Sequence, residues 1–269
     1  MLGGDPTQQW SSAAMKFAVI APGVTADPEW MSAFARHVEA CGFESIVVVE
    51  HSVLMTEYNS VYPYDVSGRL GLTADCVVPD PLDLLVFLAA HTERLGLATG
   101  VLVLPNHHPV VLAKRVATVD ALSGGRLRLC VGTGWLKEEI EACGTDFGSR
   151  GRRADEQLEV MRLLWDDHPD GASFHGEFFD FDHAMCYPKP TKRVPIHIGG
   201  HSRAAARRAA RIGHGFQPLV GPELPDLDRA EKLAAMGADR LVLAMPPAAD
   251  LNEACDALSA CAARLQLSS

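Results

Sequence analysis

Residues 97–134 read LATGVLVLPNHHPVVLAKRVATVDALSGGRLRLCVGTG. An apolar run (97–104) leads through Pro-Asn-His-His into a stretch with helical spacing (109–122), and a second apolar run (127–132) then ends in Gly-Thr-Gly. Two short continuous apolar runs separated by a helix are how buried parallel strands and their crossover read. The helix opens on Pro109, a residue suited to a first turn because its missing N–H would have no intrahelical acceptor there.

The same rhythm extends in both directions from this unit. Strand-like runs are expected at 16–21, 45–50, 195–199, 215–220 and 240–245, and helices at 28–41, 81–92, 155–165, 202–212, 226–236 and 251–265. In the first helix Met31, Phe34, Ala35 and Val38 recur at three- and four-residue spacing, and Gly42 stands where a helix stops. Such alternation is compatible with a doubly wound sheet or a closed α/β barrel. The one Gly-x-Gly follows the fourth run instead of the first, and Lys137 stands where a dinucleotide fingerprint needs its third glycine, which favours the barrel. Two stretches break the rhythm. Residues 51–80 lack periodicity and read as a lid or pocket wall, while 166–193 contains a hairpin-like alternation at 174–181.

Composition removes several function classes. The chain has 269 residues, of which 48% are apolar and 22% charged, so a sizeable core is expected in a single domain over 15–269, preceded by a disordered extension at 1–14. Its 24 basic and 34 acidic residues leave a charge of −10, the wrong sign for binding nucleic-acid phosphates. No apolar run reaches the ~18–20 residues that span a bilayer. The seven cysteines form no C-x-x-C pair and are odd in number, which points to reduced thiols and a cytoplasmic protein.

In a parallel barrel the chemistry gathers where the strands end. Those ends read Glu50-His51, then Asn106-His107-His108, then Gly132-Thr133-Gly134-Trp135, then Gly199-Gly200-His201-Ser202. An imidazole exchanges protons near physiological pH, so His51 is a proton-transfer candidate and Glu50 a charge beside it, although a histidine at a strand end is more often structural. Gly199-Gly200-His201-Ser202 opens a helix and suits a phosphate, or is an ordinary turn with a capping serine. Adjacent residues of an extended segment point apart, so His107-His108 chelates poorly and no metal is expected. Tyr58, Tyr62 and Trp135 are candidate walls of a substrate pocket, or plain packing.

Further residues make a more specific match. FESIVVVEH (43–51), residues 100–139, RGRRADEQLEVMRLLW (150–165), FHGEFFDF (174–181) and PKPTKRVPIHIGGHS (188–202) resemble the bacterial luciferase-like monooxygenase family, especially its coenzyme F420-dependent oxidoreductases. The resemblance implies a (β/α)8 barrel, a homodimer, and coenzyme F420, with FMN as the alternative, lying across the carboxyl ends of the strands. It implies that Glu50 and His51 lie beside the reactive ring and that Gly100-Val101 holds a non-prolyl cis peptide behind it. It also implies that Asn106 and Gly132-Thr133-Gly134 edge the cofactor while Gly199-Gly200-His201-Ser202 takes its phosphate.

One departure stands out: only seven strand candidates are found, and the chain after Val220 lacks room for an eighth strand and its helix. A missing βα unit, covered by a second subunit, is one expectation; a short unread segment is the other. The expected activity is hydride transfer to or from a small organic substrate. FMN-dependent oxygenation, a non-catalytic (deaza)flavin-binding protein, and a phosphate-binding isomerase or lyase are the alternatives.

Overall fold

The computed structural model describes residues 15–21, 25–218 and 226–267. In chain order it forms β1 (Lys16–Ile20), α1 (Pro28–Ala40), β2 (Ser45–Val48), α2 (Pro81–Ala89), β3 (Gly96–Thr99), β4 (Leu102–Val103), a 3₁₀ turn (Leu104–Asn106), α3 (Pro109–Leu122), β5 (Leu127–Gly132), α4 (Lys137–Ala142) and α5 (Arg150–Trp165). There follow β6 (Ala172–His175), β7 (Asp180–Ala184), β8 (Ile196–Gly199), α6 (Arg203–Ile212), β9 (Gly215–Gln217), α7 (Leu227–Ala235), β10 (Arg240–Leu243) and α8 (Leu251–Arg264).

Local chemistry sets several of these boundaries. Asp27 and Asp80 each precede a proline and cap their helices, accepting from Glu29 and Trp30 and from Leu82 and Asp83 at 2.9–3.0 Å. The expected run at 97–104 is interrupted: the Gly100–Val101 peptide is cis, and the chain re-enters the sheet as β4. At that break Thr99 Oγ1 donates to the Cys130 carbonyl (2.6 Å) and accepts from the Cys130 amide (2.9 Å), so a side chain replaces the lost ladder bonds. Residues 174–181 fall within the antiparallel β6–β7 hairpin, and 51–80 carries no regular strand or helix.

The main sheet is parallel, in the order β10-β1-β2-β3-β5-β8-β9, with β4 continuing the β3 position beside β5. Alternate residues face opposite sides. Phe17, Val19, Ile46, Val48, Leu97, Leu129, Val131, Ile196 and Ile198 join the helices in the large outer core, whereas Ala18, Val47 and Ala98 form a separate inner cluster. A fully buried Leu, Ile or Val contributes roughly 1.5–3 kcal/mol, so the outer face specifies the wall and leaves the inner face free for small and polar residues.

The sheet is curled. Arg128 of β5 and Arg240 of β10, with three strands between them, both reach Glu44 (3.3 and 2.8 Å), and Cys130 of β5 donates to Gln217 of β9 (2.9 Å) across the intervening β8. The architecture is therefore a (β/α)8-type barrel, with seven strand positions among the described residues. Among the described residues no strand stands between β9 and β10. The expected extension at 1–14, the first strand end at 22–23 and the stretch from 219 to 225 lie outside the described residues.

Candidate active site

Glu50 and His51 follow the end of β2 and, as neighbours in extended chain, diverge. Glu50, 6% exposed, turns inward: Oε1 meets His107 Nε2 at 2.5 Å, and Oε2 accepts the amide of Val103, just beyond the interrupted strand. Both oxygens of Glu50 are thus engaged in holding β4 and the following turn.

His51 turns the other way, toward a residue that the sequence reading missed. Its Nδ1 lies 2.9 Å from Glu139 Oε2, and the Glu139 side chain is only 2% exposed. Glu139 Oε1 also accepts from the Ser52 amide (2.6 Å) and from Asn106 Nδ2 (3.2 Å). A carboxylate held by three donors orients the imidazole: Nδ1–H donates to it, which leaves Nε2 as an acceptor. No hydrogen bond occupies that Nε2 among the described residues, and the His51 side chain keeps 11% exposure. Glu139 lies in the first turn of α4, the short helix after the Gly132-Thr133-Gly134 turn. Its signal was an acidic pair opening a helix at a strand end.

Beside this pair the floor of the mouth is built from small residues. Val101 sits between the ends of β5 and β8: a Cβ added to Gly132 would come 2.8 Å from Val101 Cγ2, and one added to Gly199 would come 2.5 Å from Cγ1. Any larger residue at either position would displace Val101. Gly134 and Gly200 both have positive φ, and Thr133 completes the first of these turns. Ser202 accepts from the Ala205 amide at 3.1 Å and so acts as the N-cap of α6. The first amides of such a helix have no intrahelical acceptor and face the turn.

Trp135 extends the site outward. Its ring meets His51 edge-on with centroids 6.3 Å apart, Tyr58 at 5.7 Å and Tyr62 at 5.0 Å. Tyr64 lies between Tyr62 (5.4 Å) and His201 (5.2 Å). The 51–80 loop is also tied to α4 by Glu138, which accepts from the amides of Asn59 (2.7 Å) and Ser60 (3.3 Å) and from Ser60 Oγ (2.6 Å). These bonds, that of Ser60 Oγ foremost, hold the Glu138 carboxyl down at about 2.

The structure thus brings His51, Asn106, Trp135, Tyr58 and Tyr62 around Glu139, and Val101 against Gly132 and Gly199. Glu50 belongs to a neighbouring pair with His107. The ring of His108 packs edge-on to Phe179 (5.4 Å), away from His107. Among the described residues no three His, Cys, Asp or Glu side chains converge in metal-binding geometry, and no helix is long and apolar enough to cross a membrane.

A sequence profile of luciferase-like monooxygenases matches residues 15–236. An uncharacterised protein of Mycobacterium tuberculosis is 36% identical over 198 residues, which are 72% of this chain and 66% of that one. The chain thus spans just under two thirds of that relative's length. An FMNH2-dependent dimethylsulfone monooxygenase of Pseudomonas fluorescens is 36% identical over 132 residues, 48% of this chain and 35% of that enzyme. Among solved structures, an F420-dependent secondary alcohol dehydrogenase in complex with an F420–acetone adduct superposes with a TM-score of 0.63 at 19% identity, covering 86% of this chain and 68% of that one. At that identity the likeness concerns the fold.

Proposed function

Because the chain belongs to the luciferase-like monooxygenase family, we propose that it is a two-electron oxidoreductase that holds coenzyme F420 at the mouth of its barrel and transfers a hydride to or from a small organic substrate. The observation that carries this reading is the His51–Glu139 pair with an open Nε2 at the mouth. Hydride transfer from an alcohol leaves a hydroxyl proton that needs an acceptor, and transfer to a carbonyl needs the same proton returned.

The residues present fit a flat, phosphate-bearing group. Gly132 and Gly199 keep the floor low, Val101 offers a smooth apolar support, and Gly199-Gly200-His201-Ser202 leads into the positive end of α6. When bound, the deazaflavin supplies a ring carbon that accepts or donates the hydride. Gly100, Val101, Asn106 and Gly132-Thr133-Gly134 would border its ring, and Gly199-Gly200-His201-Ser202 its phosphate. His51 Nε2 takes the substrate's hydroxyl proton during oxidation and returns it during reduction. Glu139 keeps the ring in the tautomer that makes this possible, while Glu50 holds the floor through His107 and the Val103 amide. Trp135, Tyr58 and Tyr62 exclude water from the reacting atoms.

FMN is the second reading, favoured by the FMNH2-dependent relative. Equilibrium titration with each cofactor tests the choice. Micromolar binding of F420 with weak FMN binding is expected; tight FMN binding without affinity for F420 would overturn it.

The remaining expectations go with this reading. The free state of all seven cysteines supports a reducing, cytoplasmic setting, and the exposed Val111 and Leu122 of α3 support an apolar contact between two copies. Sedimentation of the purified protein checks the dimer. A non-catalytic flavin-binding protein would bind cofactor yet turn nothing over in a screen of alcohols and ketones.

A further inference from the structure

The rings around the mouth form one unbroken edge-to-face chain. It runs from His51 through Trp135 to Tyr62, Tyr64 and His201, with Tyr58 branching from Trp135, and each centroid separation lies between 5.0 and 6.3 Å. The chain links three segments that are distant in sequence: the β2 end with its long loop, the turn after β5, and the turn before α6. Packing of the outer core does not require it, since none of these six residues belongs to the buried cluster.

Four of its six rings are tryptophan or tyrosine. Arg69 lies over the Tyr58 ring at 4.7 Å and donates to the Tyr58 carbonyl at 2.9 Å, and Lys137, two residues past Trp135, pairs with Glu141 at 3.6 Å. The Tyr58 hydroxyl accepts the Leu70 amide (3.1 Å) and so anchors the loop. The hydroxyls of Tyr62 and Tyr64 make no hydrogen bond among the described residues. Both rings are partly withdrawn from water, and burial pushes their pKa values up, so both remain neutral phenols with a proton to donate.

We propose that this chain of rings is the substrate-facing wall and that the substrate is an uncharged cyclic or aromatic alcohol or ketone. The ring body of the substrate lies against Trp135 and Tyr62, an oxygen function accepts from a tyrosine hydroxyl, and the reacting alcohol or carbonyl faces His51. Aromatic pairs attract each other beyond the burial of area, a preference that an acyclic substrate forfeits. A carboxylate or phosphate pressed against the Trp135 and Tyr62 rings would lose its hydration without return. The inference rests on the reading of His51 as the reacting end of the pocket, but its test does not need cofactor.

Acetophenone, butan-2-one and benzoate are titrated calorimetrically into the full chain, with and without F420 or FMN. Acetophenone is expected to bind about 10-fold more tightly than butan-2-one, with benzoate weaker still. Trp135→Ala should erase that preference and Trp135→Phe should retain most of it. Equal affinity for the two ketones, preference for benzoate, or an unchanged preference in Trp135→Ala overturns the proposal. If neither cofactor binds but the ketone preference and its dependence on Trp135 hold, the cofactor reading falls and the wall stands.

Discussion

His51 and Glu139 show how much of a side chain's chemistry is set by what it touches. Two histidine–carboxylate pairs lie side by side, His51 with Glu139 and His107 with Glu50, yet they differ in what they leave open. Glu50 is spent on a ring nitrogen and a backbone amide, whereas Glu139 aligns a ring whose second nitrogen has no hydrogen-bond partner among the described residues. His51→Ala is therefore expected to lower turnover by roughly 10²–10⁴-fold with cofactor affinity largely kept. Glu139→Gln should lower it by about 10-fold or more and displace the pH–rate profile, because an amide no longer fixes one tautomer. Turnover undiminished in His51→Ala would remove the residue from the proton path. Val101 makes a separate, purely steric prediction. Gly199→Ala places a methyl 2.5 Å from Val101 Cγ1 and should cost roughly 1–3 kcal/mol of stability. Val101→Ala in the same chain should recover most of it, and additive losses in a double-mutant cycle would show that the two do not share the space.

The element whose sequence conveyed least is the 51–80 loop, and its position depends on α4. Glu138 binds the loop backbone at Asn59 and Ser60, Ser60 Oγ accepts from the Lys137 amide at 2.9 Å, and Glu139 binds Ser52. A loop held by a handful of polar contacts opens locally long before the sheet does. Glu138→Ala should speed limited proteolysis within 51–80 by about 5-fold, a modest figure because these bonds lie near solvent, and leave global unfolding nearly unchanged. Cleavage at the wild-type rate would mean that the ring contacts alone hold the loop. The anchoring also depends on pH. The Glu138 carboxyl is held at about 2 against an ordinary 4.5, so its contribution is complete above 4.5 and is lost as pH falls toward 2.

Across the molecule, acid sensitivity resides on the inner face of the curled sheet. Burial, then the nearby guanidinium groups of Arg128 and Arg240, push His197 down to about 4 from an ordinary 6.5. The unfolded chain takes up that proton first, so stability falls as pH drops from 6.5 toward 4. Glu44 adds a lower step: burial alone would raise its carboxyl, but Arg240 and Arg128 outweigh it and hold it at about 2, so those ion pairs lose their contribution as pH falls from 4.5 toward 2. The melting temperature is expected to fall through both windows. His197→Phe should flatten the upper one alone, and superimposable wild-type and variant profiles would rule His197 out as the responsible group.

The rhythm of strands and helices, the hairpin at 174–181 and the histidine beside Glu50 were all legible in the sequence, because each depends on patterns within a few residues or one turn of helix. The short α4, the break of the third run into β3 and β4, and the pairing of His51 with a residue 88 positions away were not. Local periodicity carries no information about which side chains meet across a barrel mouth. Sequence by itself determined that this chain builds a parallel α/β wall with histidines, an acid and glycine turns at its strand ends. Only the tertiary structure decided that Glu139 and not Glu50 orients His51, and that rings from three separate segments close around them, since distance in space is set by the curl of the sheet.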